Sequence, residues 1–388
     1  MMRYDFDQLI NRHNTYSTQW DYISDRFGRN DILPFSISDT DFAVPKEIQD
    51  AVRQRIEHPI YGYTRWNHED YKQNIVDWFK KRNQVNIEPD WIAYSPSVVF
   101  TISTFIRMMS NEGDTVAVFS PMYDAFYGAI EKNDRFLAPV RLGSAQEGYA
   151  VDWDSLTTIL SQPRTKILLL TNPHNPTGKV FTHQELYRIS ELCDQYHIFM
   201  ISDDIHRDIV YKPNHYCPLT EVRQHQMVLC CSASKTFNTP GLIGSYLFEP
   251  DTELYRKFLI ELKQKNALSS VSIFGMISQM AAYKNGSEYV DQMVDYLHQN
   301  LLILNDFLIN QHLNIDFVLP QGTYLAWLKV DRLGYSANEL QNRLVNKGKV
   351  GIMSGKTYGD SNYLRMNIAC PRKKLLDGLK RLRLGLAD

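Results

Sequence analysis

Residues 227–237, Met-Val-Leu-Cys-Cys-Ser-Ala-Ser-Lys-Thr-Phe, join a short apolar run to a lysine that is flanked by hydroxyl side chains. An apolar run of this length that ends in turn-forming residues predicts a buried β-strand. Three similar runs precede it along the chain, at residues 115–119, 166–170 and 198–202. Because amphipathic stretches separate the four runs, the pattern predicts a mostly parallel sheet with helices between its strands.

The segment between the second and third of these runs shows the helical period. Leu186, Ile189 and Cys193 recur at the spacing that places side chains on one face of a helix. Thr182 and Glu185 stand three residues apart just before this pattern, which is the arrangement of a capping box. A helix between two buried strands predicts a βαβ unit.

The chain has 388 residues, which predicts one large domain and one smaller one. Strand and helix patterns alternate over residues 46–285, which we assign to the large domain. A long helical pattern follows, and then strand-like runs at 324–328 and 363–366, so we assign residues 286–388 to a small C-terminal α/β domain. Residues 1–45 are expected to join this smaller domain.

The composition is that of an ordinary globular protein, with 44% hydrophobic residues, 22% charged residues and a net charge of -2. Bulk electrostatics therefore predict no nucleic-acid partner and no anionic membrane partner. The five cysteines lack metal-ligand spacing, and their odd number argues against a secreted disulfide framework. We predict a cytoplasmic protein, because the sequence shows no signal-peptide pattern and no membrane-length apolar run. We also predict that it has no metal site.

Polar residues follow three of the apolar runs, where an open α/β sheet places its ligands. Asn175, Asp203 and Lys235 are separated by 28 and 32 residues, about one βαβ step each. Taken singly, these residues are common in turns, at helix caps and on surfaces. Successive strand ends can bring all three to one rim, so the prediction depends on the set.

The three residue types supply what pyridoxal 5'-phosphate requires. A lysine amine forms the Schiff base, a carboxylate keeps the pyridine nitrogen protonated, and an amide donates to the phenolic oxygen. Lys235, Asp203 and Asn175 are the candidates for these roles. His206, three residues past the aspartate, is expected to contribute on the same side.

The phosphate of this cofactor needs backbone N–H groups at the start of a helix, together with hydroxyl donors. Five residues meet these requirements, namely Ser97, Val98, Val99, Ser232 and Ser234. Tyr123 comes shortly after the run at 115–119, so we predict that it stacks on the cofactor ring and is also a catalytic residue.

With these residues assigned, the chain resembles the MalY/PatB-type cystathionine β-lyases, part of the larger aminotransferase-fold group of pyridoxal-phosphate enzymes. The resemblance covers nearly the whole chain and implies an aspartate-aminotransferase-like α/β fold (fold type I), in which residues 46–285 bind the cofactor. Eight segments carry it in the same order, at residues 18–22, 37–42, 62–66, 123–127, 172–179, 234–238, 323–328 and 365–367.

The resemblance implies the same three roles for the lysine, the aspartate and the asparagine. It adds Arg365 as the clamp for the α-carboxylate of an amino-acid substrate, a task that suits a bidentate guanidinium. It also implies that Tyr63 reaches the cofactor phosphate of a neighbouring subunit, so that a homodimer shares its active sites. Asp39, Tyr63 and Tyr358 are further candidates for substrate binding.

The reaction implied by the resemblance is β-elimination from a sulfur amino acid such as cystathionine, which yields homocysteine, pyruvate and ammonia. An aminotransferase is the alternative, because both reactions begin by removing the same α-proton. Ile243 stands eight residues after the lysine, where typical aminotransferases hold a phosphate-binding arginine that the lyases lack. Asp204 stands where the family more often has glutamate. A regulatory, protein-binding role on the same fold is a second alternative.

Overall fold

The structure is a computed structural model that describes residues 4–387. Its α-helices are α1 (Ile23–Phe27), α2 (Lys46–Ile56), α3 (Glu69–Asn83), α4 (Val98–Met109), α5 (Ala125–Glu131), α6 (Trp153–Leu160), α7 (His183–Gln195), α8 (Ser234–Phe237), α9 (Thr252–Ile260), α10 (Ile273–Asn285), α11 (Ser287–Asn310), α12 (Ala337–Arg343) and α13 (Arg372–Leu386). One π-helical turn continues α9 and another continues α12.

The strands are β1 (Leu33–Pro34), β2 (Ile92–Ser95), β3 (Thr115–Ser120), β4 (Phe136–Arg141), β5 (Thr165–Thr171), β6 (Phe199–Asp203), β7 (Met227–Cys231), β8 (Ser245–Phe248), β9 (Leu325–Lys329), β10 (Val350–Gly351), β11 (Met353–Ser354) and β12 (Tyr363–Asn367). Seven of them form one sheet in the order β2-β8-β7-β6-β5-β3-β4. The five strands from β7 to β4 are parallel, whereas β8 is antiparallel to both of its neighbours. The predicted mixed, mostly parallel sheet is confirmed.

The two central strands β6 and β7 are buried at every residue, as strands covered by helices on both faces must be. Asp203 at the end of β6 pairs with Thr171 on β5 and with Cys230 on β7. These parallel strands therefore end at the same level. The turn after β5 carries Asn175 and the turn after β7 carries Lys235, so both turns lie at one edge of the sheet.

The helix α7 connects β5 to β6 and completes the expected βαβ unit. Its capping box forms in both directions, because the Thr182 hydroxyl accepts from the Glu185 N–H and the Glu185 carboxylate accepts from the Thr182 N–H. Its apolar face is buried through Leu186, Ile189 and Cys193. This buried face holds the helix on the sheet.

The C-terminal part contains a three-stranded antiparallel sheet, ordered β11-β12-β9, and the long helix α11. The short strand β1 pairs in parallel with β10, so residues 33–34 lie beside this part of the chain. The domain boundaries at residues 45 and 285 stay a prediction. Within residues 4–387, no helix combines the length and the apolar character that crossing a membrane requires.

Candidate active site

A cavity of about 430 Å³ lies at the edge of the large sheet where β5, β6 and β7 end. Its wall contains ten of the residues predicted from the sequence, namely Ser97, Val98, Val99, Tyr123, Asn175, Asp203, His206, Ser232, Ser234 and Lys235. Ser38, Thr171 and Ser245 also line it, although the sequence did not single them out. Ser38 contributes a backbone carbonyl, which leaves no signal in side-chain patterns.

Lys235 lies in the short helix α8, and its amine reaches across the cavity to the N-terminal part of the chain. The Nζ donates to the carbonyl of Ser38 at 2.6 Å, and the Tyr324 hydroxyl donates to the same carbonyl at 2.9 Å. Burial lowers the pKa of Lys235 to about 8, although the charge of Asp39 opposes this shift. A lysine with a lowered pKa supplies a neutral, nucleophilic amine near neutral pH.

Asp203 is buried as the last residue of β6, and its Oδ1 accepts from the Ile205 N–H at 3.2 Å. Burial raises the pKa of Asp203 to about 7, and Lys235 lowers it only in part. The neighbouring His206 is buried, and its Nδ1 has no hydrogen-bond partner within residues 4–387. Burial lowers the pKa of His206 to about 3, so this ring is neutral.

Arg365 is buried on β12 and connects the cavity to the C-terminal part of the chain. Its Nη1 donates to the Asn175 side-chain oxygen at 3.0 Å, and its Nη2 donates to the Ser36 carbonyl at 3.1 Å. Its Cζ lies 4.1 Å from the centre of the Tyr358 ring. Because the oxygen of Asn175 accepts from Arg365, the amide N–H groups of Asn175 remain available to donate into the cavity.

The predicted phosphate site lies where α4 begins. The Ser97 hydroxyl caps this helix by accepting from the Phe100 N–H at 3.1 Å, while the N–H groups at the first helical positions have no partner inside the helix. The Ser232 hydroxyl donates to the Gly244 carbonyl at 2.7 Å and accepts from the Ser234 N–H at 3.1 Å. The Ser232 and Ser234 hydroxyls also lie 3.0 Å apart, within hydrogen-bond distance of each other.

Ile243 lies in the same wall, eight residues after Lys235. Its φ of 46° is in the left-handed region, which a β-branched side chain rarely adopts. This strained backbone lies against α10, because the Gly275 Cα approaches so closely that an added Cβ would be 2.2 Å from the Ile243 carbonyl oxygen. The wall at this point therefore offers an apolar side chain and no cation.

Four predicted residues lie outside the cavity wall. Asp39 accepts from Arg12 at 2.6 Å, and Tyr358 packs against Arg365 as described above. Tyr63 has a relative exposure of 101%, so this chain alone does not bring it to the cavity. Arg365, the fourth, contacts the wall through its hydrogen bond to Asn175. The roles of all the candidate residues stay predictions.

A buried ion pair supports the lysine turn from behind. The Arg207 guanidinium lies 3.4 Å from the Asp208 carboxylate, and it also donates to the Ser232 carbonyl. Asp208 in turn accepts from Thr236 at 2.9 Å and from the Trp78 indole at 3.0 Å. Residues on both sides of the lysine are thus held by one network. This network was not predicted from the sequence. The adjacent charged residues Arg207 and Asp208, only a few positions after a predicted buried strand, could have indicated it.

The family model for aminotransferase class I and II matches residues 30–382 of the chain. The chain belongs to this family. Among curated members, Protein MalY of Escherichia coli K12 is 39% identical, with 97% of each chain covered. Cystathionine beta-lyase PatB of Bacillus subtilis is 33% identical and covers 99% of this chain and 100% of its own.

The chain is similar to a solved structure of a pyridoxal-phosphate-bound protein from Clostridium difficile 630. The similarity covers 99% of this chain and 100% of the solved chain. The two chains share 30% sequence identity and superpose with a TM-score of 0.96. The family and the structural likeness together confirm the predicted aminotransferase-like fold. The predicted resemblance to the MalY/PatB group is confirmed as well.

Proposed function

We propose that the protein is a pyridoxal-phosphate-dependent carbon–sulfur lyase that cleaves cystathionine or a related sulfur amino acid by β-elimination. The observation that carries the proposal is the single cavity that joins Lys235, Asp203 and Asn175. The 33% identity to a relative named cystathionine beta-lyase supports elimination as the reaction.

The residues of the cavity fit pyridoxal phosphate. A buried carboxyl group with a raised pKa needs a nearby cation if it is to be ionised at neutral pH. The protonated ring nitrogen of the cofactor would provide that cation next to Asp203. The free N–H groups at the start of α4 and the Ser234 hydroxyl would hold the phosphate. The Asn175 amide would donate to the phenolic oxygen, and Tyr123 would cover one face of the ring.

The protein residues then bind the substrate and move its protons. The buried guanidinium of Arg365 binds the α-carboxylate, and this contact orients the α-hydrogen toward Lys235. The Nζ of Lys235 takes the α-proton as general base and later returns a proton. When bound, the cofactor supplies an electron sink for the pair left on the α-carbon.

Overall, the C–S bond of the substrate breaks and one water is consumed. Cystathionine and water give homocysteine, pyruvate and ammonia, so no second amino acid and no keto acid take part. Ile243, where an aminotransferase would hold a phosphate-binding arginine, is consistent with this chemistry. The amino-acid substrate class is that of the family as a whole.

We further propose that the active protein is a homodimer with shared active sites. Residues 60–63 expose three large apolar side chains, Ile60, Tyr61 and Tyr63. An exposed apolar cluster of this kind marks an interaction surface. A second copy of the chain that covers this segment would bring Tyr63 to the phosphate end of its cavity.

The test is a turnover assay with purified, cofactor-loaded protein and cystathionine in the absence of any keto acid. We expect free thiol and pyruvate to appear in equal amounts. Lys235→Ala should lower the rate by about 1,000-fold or more, because it removes the general base. The control is Lys257→Ala, which removes an exposed lysine paired with Glu253 and should leave the rate unchanged. Amino transfer that requires an added keto acid, without pyruvate release, would contradict the proposal.

A further inference from the structure

A second cavity, of about 320 Å³, adjoins the predicted α-carboxylate site from the N-terminal side. Its wall includes Asp25 and Arg26 of α1, together with Ser36. The carbonyl of Ser36 accepts from Arg365 at 3.1 Å, so a single residue borders both the second cavity and the arginine clamp. The second cavity therefore begins where the α-carboxylate of the substrate is expected to lie.

Two charged side chains lie in this wall. Neither Asp25 nor Arg26 forms a side-chain hydrogen bond or an ion pair within residues 4–387. By contrast, Arg12 is paired with Asp39 at 2.6 Å and Arg29 with Asp31 at 2.6 Å. An unpaired carboxylate and an unpaired guanidinium side by side form a complement to a zwitterion.

The charge of Arg26 acts on Tyr358, which packs against Arg365. Burial raises the pKa of Tyr358 to about 12, and the charges of both Arg365 and Arg26 act against this rise. The ring of Tyr358 is 4.1 Å from the Cζ of Arg365. Tyr358 is thus within electrostatic range of two guanidinium groups, one at the clamp and one at the second cavity.

We propose that the second cavity binds the distal α-amino acid group of a sulfur amino acid that carries such a group at both ends. Arg26 binds the distal carboxylate and Asp25 binds the distal ammonium. Cystathionine and cystine have this second zwitterion, whereas S-alkylcysteines do not. The inference rests on the proposed lyase function and narrows its substrate class to these doubly zwitterionic molecules.

The kinetic test compares cystathionine with S-ethylcysteine, which has the same reacting end and no distal charges. For Arg26→Gln we expect kcat/KM for cystathionine to fall about tenfold, mainly through KM, because one charge-assisted contact is lost at a partly exposed site. The rate with S-ethylcysteine should not change. Arg26→Lys should restore part of the loss, because it keeps the charge without the bidentate geometry.

Arg29→Gln is the matched control, since it removes an arginine of the same region that is already paired with Asp31. It should leave both substrates unaffected. An equal loss on both substrates in Arg26→Gln would mean a general disturbance of α1 and would overturn the inference. No loss on either substrate would overturn it as well.

A binding measurement separates this inference from the lyase proposal. The probe is 2,7-diaminooctanedioate, in which a methylene replaces the sulfur of cystathionine, and 2-aminooctanoate is its partner without the distal group. By calorimetry, the wild-type holoenzyme should bind the first probe more tightly, and Arg26→Gln should abolish the difference. If the wild type bound both probes equally, the inference would fail, whereas failure to release thiol and pyruvate from cystathionine would count against the lyase function alone.

Discussion

Asp203 is a carboxyl group in the protein interior, and burial raises its pKa to about 7. In the unfolded chain its pKa is about 3.9. A group with a raised folded pKa stabilises the native state below its unfolded pKa, and this stabilisation is lost as the pH rises through the folded pKa. For the protein without cofactor, we therefore expect the free energy of unfolding to fall by about 3 kcal/mol as the pH rises from about 4 to about 7, because of Asp203.

Urea unfolding of the cofactor-free wild type and of Asp203→Asn across this pH range measures that contribution. The difference between the two proteins should change with pH in the stated direction, since the amide does not titrate. Asp154→Asn, which changes an exposed residue in the first turn of α6, is the control. Its unfolding free energy should vary with pH as that of the wild type does. Parallel pH profiles for the wild type and Asp203→Asn would mean that folding does not shift the pKa of Asp203, and would contradict the prediction.

Lys235 makes a second prediction at the same scale, about how fast the protein takes up its cofactor. Only the neutral amine reacts with the cofactor aldehyde, and burial lowers the pKa of Lys235 to about 8. The uptake rate should therefore rise about tenfold per pH unit below this pKa and level off above it. Stopped-flow absorbance with the cofactor-free protein measures the rate. A rise that continued to about pH 10, as for an exposed lysine, would contradict the burial argument.

Among the elements, the turn that follows β5 depends on one glycine. Gly178 has a φ of +72°, and an added Cβ would lie 2.3 Å from the Cβ of Pro320 and 2.8 Å from the Gly322 carbonyl oxygen. We expect Gly178→Ala to lower the free energy of unfolding by about 2–4 kcal/mol, through backbone strain and overpacking together. Because this turn also carries Asn175, cofactor affinity should fall as well.

Gly334→Ala separates the two causes. Gly334 has a φ of +73° with nothing within 4 Å of an added Cβ, so this variant carries the backbone strain without the clash. It should cost only about 1 kcal/mol. Chemical denaturation of both variants gives the comparison, and equal losses would mean that contact with Pro320 adds nothing.

The elements that local patterns predicted are those with a strong period or a long apolar run. The strands β3, β5, β6 and β7 and the capped helix α7 belong to this group, and the structure has all of them. The edge strand β2 and the antiparallel strand β8 were not predicted. Each has only four residues, and a short apolar segment gives no evidence of the direction in which its strand runs.

The candidate site divides in the same way. Residues that follow apolar runs, such as Asp203 and Lys235, could be proposed from their spacing, because parallel strands end at one edge. The contacts of Ser36 and Ser38 could not, because these residues act through backbone carbonyls and come from a distant segment. Tyr324 was likewise missed, since a single buried tyrosine in a strand-like run is ordinary core.

At the scale of the whole molecule, the proposed homodimer predicts that two defective chains can repair each other. Lys235→Ala removes the lysine of a chain's own cavity, and Tyr63→Phe removes the hydroxyl that we propose enters the partner's cavity. A mixed dimer then contains one complete site, made from the lysine of one chain and the tyrosine of the other. After mixing under conditions that exchange subunits, activity should return to about one quarter of the wild-type value per chain.

Turnover assays on the mixture and on each variant alone measure this recovery, and sedimentation confirms that the dimers have formed. The control mixes Lys235→Ala with the wild type. Its activity should not exceed that of the wild-type chains in the mixture. If the mixture has only the summed activity of its two components, Tyr63 acts within its own chain or not at all.

The hydrogen bond from Arg365 to Ser36 joins residues that are 329 positions apart. During translation, the turn with Lys235 leaves the ribosome well before β12 is made. Contacts between such distant segments form late, because the intervening chain has to be ordered first. A nascent chain can thus present Lys235, the proposed cofactor-binding lysine, without yet holding Arg365, the proposed clamp for the substrate. We therefore expect incomplete translation products to be unable to turn over amino acids.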